Sequence, residues 1–308
     1  MAKHAVAATE RDLDASALPL YGTPDFSSFA IFYLLFAIHP VPELAEVEHN
    51  RQVWARGHGN KVLGVVTRNV RSPVWRGLRA ADLVKTLTRK LLSGSETHGK
   101  QMLFQFGRDA WLGVHLGMTG RLSVEPRDYR LGKHDHLALR QADHWLVFSD
   151  QRRFGRLRLA QGVNRPSWWT RLPPPILSTR FTKQWVAEFC ARRKGAPLKA
   201  LLLMQERFPG IGNWMADEIL WRARLNPKIP AGKLSPASVG KLYRWIRWVT
   251  VSAMREMDEN WEFPSTWLFS HRWEAGGHCP RCGAELSREK VGGRTTCWCP
   301  VCQPQLSK

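Results

Sequence analysis

The chain has 308 residues, 44% of them hydrophobic, which is enough for two or three domains with cores of their own. Lys and Arg number 46 against 26 Asp and Glu, and 15 Trp accompany this formal charge of +20. No run reaches the ~20 apolar residues of a membrane span, and six Cys in a chain of this length do not make a disulfide scaffold.

The positive charge indicates a nucleic-acid partner. It is spread along the whole chain and is not confined to a tail. Arg donates paired hydrogen bonds to phosphate, and aromatic rings stack on bases. An anionic membrane surface is the competing interpretation of the same charge.

The first apolar run, FAIFYLLFAI (Phe29–Ile38), is only ten residues long. No basic cluster directly precedes it and no convincing cleavage site follows, so it is a poor signal peptide. A few residues later PELAEVE begins at Pro42, and a helix is predicted from about Ala45 to Arg56. This segment is typical of a protein's first residues, although 41 residues precede it.

The next hundred residues, 61–159, have the pattern of short strands. Apolar and polar residues alternate between turns that contain Gly, Asp or Arg, which predicts a β-sandwich or barrel flanked by that one helix. The stretches are KVLGVVTRNV, KQMLFQFG, AWLGVHLGMTGRLSV, HDHLALRQ, HWLVFSD and GRLRLA. The Pro-rich RLPPPILSTRFT that follows is predicted to be a linker.

Two helices are predicted around the turn PGIGN. Apolar residues recur at helical spacing before Phe208 and again from Trp214 to Leu225. Pro209 ends the first helix, and Asn213 is predicted to cap the second. The glycines and the helix N-terminus would together form a phosphate clamp. An ordinary helical hairpin is the alternative.

Near the C-terminus, two CxxC pairs are separated by sixteen residues: Cys279, Cys282, Cys299 and Cys302. Each pair presents two thiolates, and two pairs complete a tetrahedral Zn²⁺ site. We therefore predict one structural zinc ion, with two disulfides as the alternative. Cys297 could replace Cys299, but the symmetric spacing favours Cys299. Cys190 is predicted to pack as a small hydrophobe.

Between the two cysteine pairs, REKVGGRTT predicts a hairpin turned at Gly292-Gly293. Arg294 then follows the turn, where a basic side chain on a metal-pinned hairpin can contact a phosphate. The alternative is an exposed Arg on a solvated turn.

Together these motifs resemble the formamidopyrimidine-DNA glycosylase and endonuclease VIII family over roughly residues 42–303. PELAEVE is similar to the family's N-terminal PELPEVE, and HLGMTGRL and KHDH…SDQRRFG match two signatures of its β domain. GIGNWMADEIL matches its helix-two-turn-helix, and the ribbon ends in CPVCQ as the family's does. These motifs follow one another in the family's order.

The resemblance implies an α+β multidomain fold. We expect an N-terminal β-sandwich with a flanking helix over residues 42–175, a helix-two-turn-helix domain over 176–265 and a zinc-ribbon hairpin over 266–308. Residues 1–41 are expected to be a mis-annotated or removed extension.

The resemblance also implies a bifunctional DNA glycosylase and abasic-site lyase of base excision repair. Such enzymes excise oxidised or ring-opened bases through a Schiff base on the N-terminal proline, followed by β,δ-elimination. The partner would be double-stranded DNA that contains oxidised bases or abasic sites. A bacterial, cytoplasmic, nucleoid-associated monomer without a membrane partner is expected.

Pro42 matches the proline nucleophile of the family, yet it lies inside the chain. An internal proline nitrogen is a tertiary amide and cannot attack a sugar carbon, whereas a terminal amine with a pKa around 7.7–8.0 can. We expect translation to start at codon 41, because Val41 can be encoded by the bacterial start codon GTG, and Met to be removed afterwards. Processing between Val41 and Pro42 and a catalytically silent DNA-binding paralogue are the alternatives.

The resemblance assigns roles to residues around this proline. Glu43 would protonate the ribose ring oxygen, and Glu46 would orient the proline amine; without the resemblance, both are acids that complement a helix dipole. Lys100 would contact phosphate and assist the eliminations. Asn213 and Arg294 would hold the phosphates that flank the lesion.

Three further residues match those that fill the void left by a flipped base: Met118, Arg152 and Phe154. Ordinary strand-end packing is the alternative for Met118 and Phe154. The trio fits the formamidopyrimidine branch better than the endonuclease VIII branch. KHDH (Lys133–His136) is predicted to be structural and not a metal site.

The sequence departs from the family between the last helix, predicted to end near Met257, and Cys279. DENWEFPSTWLFSHRWEAGGH is shorter than the corresponding segment of the best-known formamidopyrimidine enzymes, which includes a loop that covers flipped 8-oxoguanine. We therefore expect a preference for ring-opened purines or oxidised pyrimidines. Ala45, where the family usually has Pro, is a smaller departure.

Overall fold

The computed structural model describes residues 41–259 and 263–305. The run Phe29–Ile38 and the predicted extension, apart from its last residue, lie outside the described residues. Within the described ranges, no helix combines the length and apolar character needed to cross a bilayer.

The first helix joins two cores. Helix α1 (Leu44–Ala55) confirms the helix predicted after Pro42. Its residues Val47 and Trp54 are buried in the β-sandwich core, whereas Ala45 packs into the core of the helical domain. Because one helix contributes to both cores, its N-terminus lies where the two domains meet.

Two four-stranded antiparallel sheets form the N-terminal domain. The strands are β1 (Gly64–Thr67), β2 (Leu92–His98), β3 (Gln101–Phe106), β4 (Ala110–His115), β5 (Gly120–Pro126), β6 (Asp135–Arg140), β7 (His144–Asp150) and β8 (Arg156–Gln161). One sheet has the order β1-β6-β7-β5 and the other β2-β3-β4-β8. Apolar side chains from alternate strand positions fill the space between the two sheets.

Sequence reasoning missed a second flanking helix and a strand of this domain. Helix α2 (Ala80–Leu87) shows that the sandwich is flanked by a second helix, so the prediction of a single one is wrong. Leu83 and Leu87, one turn apart, bury against the sandwich and could have revealed it. Strand β2 was missed because LSGSETH is polar, and it is stabilised by pairing with β3.

The helical domain follows the linker. The short helix α3 (Ser167–Thr170) lies before the linker, and its Trp169 packs with Leu103 and Trp111 of the sandwich. The helices after the linker are α4 (Lys183–Arg192), α5 (Leu198–Leu202), α6 (Asn213–Ala223) and α7 (Pro236–Glu259). Helices α5 and α6 are the pair predicted around PGIGN, but α5 ends at Leu202, well before Pro209, so the prediction that Pro209 ends it is wrong. Phe208 and Ile211 between them are fully buried, which anchors the turn in the core of this domain.

The C-terminal hairpin has the predicted geometry. Strands β9 (Ser287–Val291) and β10 (Arg294–Trp298) pair antiparallel, and Gly292-Gly293 make the turn with φ of 59° and 79°. A Cβ on Gly292 would lie 2.5 Å from the Ala200 Cβ, so the turn rests directly on helix α5. The α+β fold, with sandwich, helical domain and ribbon hairpin, is confirmed.

Candidate active site

The Glu43 carboxylate lies at the N-terminus of helix α6. It accepts hydrogen bonds from the backbone N–H groups of Gly212 at 2.9 Å, Trp214 at 2.9 Å and Met215 at 3.0 Å. These are N–H groups that a helix leaves without intrahelical partners, and the helix dipole adds to their attraction for an anion. The carboxylate therefore joins the start of α1 to the start of α6 across the domain junction.

This geometry corrects two predictions about PGIGN. The N-cap of α6 is Gly212, not Asn213, and no side chain of the N-cap residue bonds to the helix. The backbone N–H groups predicted to clamp a phosphate bind the Glu43 carboxylate instead, because the packing of α1 places that carboxylate against them. The Oδ1 atom of Asn213 is buried and, within the described part of the chain, accepts no hydrogen bond.

Glycines allow this close approach. A Cβ on Gly212 would lie 2.2 Å from the carboxyl carbon of Glu43, so no other residue leaves room for the carboxylate. A Cβ on Gly99 would lie 2.9 Å from Pro209, which places the β2–β3 turn directly against PGIGN. Lys100 is the next residue of that turn, so it is brought to the same junction.

Burial and charge both act on the two carboxyl groups. Burial raises the pKa of Glu43, against the opposing effects of the Lys100 charge and of the backbone hydrogen bonds. Burial and the neighbouring Glu43 charge raise the pKa of Glu46 to about 7. Raised pKa values of buried carboxyls in a cleft are typical of groups that exchange protons during a reaction.

Glu46 is held by two donors. One oxygen accepts the Glu43 N–H at 3.1 Å, which is the return half of a capping box, and the other accepts the Trp214 indole N–H at 3.0 Å. The Trp214 ring in turn packs against Phe263 and Phe269, with centroid distances of 4.9 and 5.0 Å. Pro42, half-buried, directly precedes this pair of acids.

The three predicted void-filling residues lie on two adjacent turns. Met118 is on the β4–β5 turn, and Arg152 and Phe154 are on the β7–β8 turn. The Arg152 guanidinium lies 5.1 Å from the Phe154 ring centroid, and Phe154 is 57% exposed. A Cβ on Gly117 would lie 2.4 Å from the Phe154 carbonyl carbon, so the two turns touch.

A buried aspartate that sequence reasoning missed fastens these turns. Asp150 accepts the Thr119 hydroxyl at 2.7 Å and the Gly155 N–H at 2.6 Å, and Thr119 accepts the Arg152 N–H at 3.0 Å. The His136 ring bonds to the Asp150 carbonyl at 3.1 Å, which agrees with a structural role for KHDH. The position of Asp150 at a strand end, beside predicted site residues, was the available signal.

The four cysteines of the ribbon form one cluster, with all Sγ atoms within 4.8 Å of one another: Cys279, Cys282, Cys299 and Cys302. Backbone N–H groups of Arg281 and Cys302 and the Trp221 indole donate to these sulfurs, as is typical of thiolates around a metal. Four free cysteines with their Sγ atoms at this separation fit a tetrahedral structural zinc, which confirms the prediction. Cys297 is buried outside the cluster.

A second missed aspartate connects the ribbon to helix α6. Asp217 is buried and accepts hydrogen bonds from Lys199 at 2.5 Å, from Arg272 at 2.6 Å and from the Cys297 N–H at 3.1 Å. Its three donors come from α5, from the segment before the ribbon and from β10. Arg294 is exposed beside the hairpin turn that this network helps to position.

Three family models match the chain in order. They are the formamidopyrimidine-DNA glycosylase N-terminal domain over residues 41–157, its H2TH domain over 172–262 and a zinc finger found in FPG and IleRS over 276–305. A formamidopyrimidine-DNA glycosylase of Roseiflexus sp. is 35% identical over 279 residues, covering 85% of this chain and 100% of that protein. That of Chloroflexus aurantiacus is 34% identical over 277 residues, covering 85% and 98%.

Solved structures of similar proteins include DNA. Lactococcus lactis Fpg in a complex with abasic-site-containing DNA has a TM-score of 0.76 and 30% identity, covering 85% of this chain and 100% of that one. The same protein with DNA that contains an oxidised pyrimidine has a TM-score of 0.75 and 30% identity, covering 86% and 100%.

Proposed function

Since the chain belongs to the formamidopyrimidine-DNA glycosylase family, we propose that it is a DNA glycosylase of base excision repair that also cleaves abasic sites. The observation that carries the proposal is the placement of Glu43. Its carboxylate is buried on the α6 N-terminus, next to Pro42 and under the influence of the Lys100 charge. DNA with oxidised or ring-opened bases is the proposed substrate.

In the proposed reaction, Pro42 acts as a free N-terminal secondary amine. Its nitrogen attacks C1′ of the damaged nucleotide, the glycosidic bond breaks, and the base leaves with a proton. Opening of the C1′–O4′ bond gives a positively charged iminium. Loss of a C2′ proton then expels the 3′-phosphate, and a second elimination expels the 5′-phosphate.

The neighbouring groups would move or hold the protons of these steps. Glu43 would protonate O4′, for which burial in the domain junction prepares it by raising its pKa. Glu46 would orient the Pro42 amine, since its carboxylate already holds the next backbone N–H. Lys100 would contact the phosphate at the lesion and favour its departure.

The remaining predicted residues would grip the distorted duplex. Asn213, whose side-chain amide N–H groups can donate hydrogen bonds, and Arg294 would hold flanking phosphates. Met118, Arg152 and Phe154 would fill the space left by the extruded nucleotide, which suits the exposed Phe154 ring. The zinc ion held by the four cysteines would stabilise the ribbon that carries Arg294 and would take no part in the chemistry.

Packing of the segment before the ribbon bears on lesion preference. Phe263 and Phe269 lie in the core of the helical domain beside Trp214, and the Trp267 ring packs against Phe263 with a centroid distance of 4.8 Å. Because these residues pack in the core, few residues of the segment remain that could form a loop over a flipped base. We therefore propose a preference for ring-opened purines or oxidised pyrimidines over 8-oxoguanine.

Borohydride trapping on abasic and oxidised-base duplexes tests the chemistry. A protein that begins at Pro42 should leave a reduced covalent adduct, whereas the matched protein with a peptide bond on Pro42 should not, because its nitrogen is an amide. Pro42→Gly in the shorter protein should still bind abasic DNA but lose most base excision. Excision at the wild-type rate by that variant, or by the protein with an acylated Pro42, would refute the mechanism; DNA binding without any adduct would instead identify a silent DNA-binding paralogue.

A further inference from the structure

A cavity of about 280 Å³ opens on the outer face of the β2-β3-β4-β8 sheet, beside the proposed lesion site. It lies between Phe154 on one side and Gln101, the residue after Lys100, on another. Its floor is Gly113 and Val114 of β4, and its other walls are His115, Arg156, Arg158 and Trp168. None of the roles assigned above uses the two arginines.

The sheet register places the polar groups side by side. Gln101 pairs with His115, His115 with Arg156, and Gly113 with Arg158, so their side chains share one face. No carboxylate among the described residues hydrogen-bonds or pairs with either arginine. Glu96, in the same row but three strands from Arg158, is already paired with Arg165 at 2.6 Å.

The cations of this corner act on one another. Burial and the charges of Lys100, Arg158 and Arg156 all lower the pKa of His115. A concave surface with crowded positive charge and no compensating acid attracts an anion. Because the Lys100 charge also acts on His115, the cavity and the proposed phosphate contact of Lys100 share one region of positive potential.

An indole ring fixes one of the arginines. The Arg158 guanidinium lies 5.2 Å from the Trp168 ring centroid, a cation–π distance. Trp168 itself lies directly on Gly113, where a Cβ would be 2.5 Å from the ring. The glycine thus admits the ring, and the ring packs against the guanidinium of Arg158.

We propose that Arg156 and Arg158, backed by Trp168, bind a DNA backbone phosphate next to the one assigned to Lys100. The site lengthens the contact with the duplex along the outer face of the sandwich, beyond the void-filling turns. It rests on the proposed function for its ligand, a DNA strand, but requires no free amine on Pro42. Phosphate suits the site because a guanidinium donates paired hydrogen bonds to two phosphate oxygens.

The test measures binding of the full chain to a duplex that carries a stable abasic-site analogue, over a range of salt concentrations. The double variant Arg156→Gln/Arg158→Gln should bind about tenfold more weakly near physiological salt, and the slope of log affinity against log salt should shrink by roughly 1, since one phosphate contact is lost. Arg156→Lys/Arg158→Lys should regain the slope, because counterion release depends on charge.

The matched control removes two arginines at the far end of the other sheet, Arg127→Gln/Arg140→Gln. Both are exposed, and their end of the sheet is opposite the Gly120–Asp150 pair beside the site. This control should bind as the wild type does. Wild-type affinity for the glutamine variant, a loss with an unchanged salt slope, or an equal loss in the control would overturn the inference. If the shorter protein leaves no borohydride adduct while the glutamine variant still shows its reduced slope, the proposed chemistry fails and the phosphate site stands.

Discussion

Replacing Gly212 by alanine tests whether the Glu43 carboxylate must lie on the α6 N-terminus. The backbone there has φ −118° and ψ −156°, an extended conformation that alanine adopts without strain. The only obstacle is the added methyl group, which would lie 2.2 Å from the Glu43 carboxyl carbon and 2.4 Å from its Oε1. The substitution therefore acts on the carboxylate alone.

The size of the effect follows from that distance. The carboxyl carbon must retreat by about 1.2 Å to reach even the 3.4 Å edge of ordinary contact. Three backbone hydrogen bonds of 2.9–3.0 Å would then be stretched or broken. A misplacement of about 1 Å can cost a reaction roughly 100-fold, equivalent to about 2.7 kcal/mol in the barrier.

Single-turnover base excision by a protein that begins at Pro42 measures this loss. Gly212→Ala should excise roughly 100-fold more slowly, while its affinity for abasic DNA stays close to that of the wild type. Gly195→Ala is the matched control, because a Cβ there meets no atom within 4 Å. If Gly212→Ala excises at the wild-type rate, the reasoning that places Glu43 in the reaction through the α6 N-terminus is wrong.

Two further predictions concern the acid next to the proline and the metal. Trp214→Phe keeps an aromatic ring but removes the hydrogen bond that lowers the pKa of Glu46, so that pKa, about 7, should rise by about one unit. The acid limb of the pH profile of the excision rate should shift upward by the same amount, whereas Trp185→Phe should leave it unchanged. Coincident pH profiles for the wild type and both variants would argue against the contact. Cys299→Ser should lose its bound zinc, measured by metal analysis, and should bind DNA more weakly. Cys297→Ala should keep one zinc per chain, because Cys297 lies outside the cluster. Equal zinc content in the two variants would contradict the ligand set.

Local patterns were sufficient for the parts of this protein that depend on neighbours in sequence. The segment that begins at Pro42 predicted α1, and the glycine pair predicted the ribbon turn. Two CxxC pairs predicted the thiolate cluster, because a CxxC turn brings its own sulfurs together. Strand β2 escaped the same reasoning, since its polar residues form a strand only when β3 lies alongside.

The candidate site likewise contains residues that a short motif indicated and residues that only the tertiary structure revealed. The resemblance indicated Pro42, Glu43 and Glu46 from one short motif, and the structure brings Lys100 to them through the contact of Gly99 with PGIGN. The two buried aspartates that hold the turns and the ribbon were missed. Nothing local distinguishes a buried Asp from a surface one, because its donors come from distant segments.

The sequence by itself determined most of the elements, the four-cysteine cluster and the family, since each depends on short-range spacing or on a matching motif. Only the tertiary structure decided what binds at the α6 N-terminus. A helix end attracts any anion, so the same N–H groups suit a phosphate or a carboxylate equally well. Packing of α1 against PGIGN supplies Glu43 at contact distance, and the buried Oδ1 of Asn213 finds no donor among the described residues.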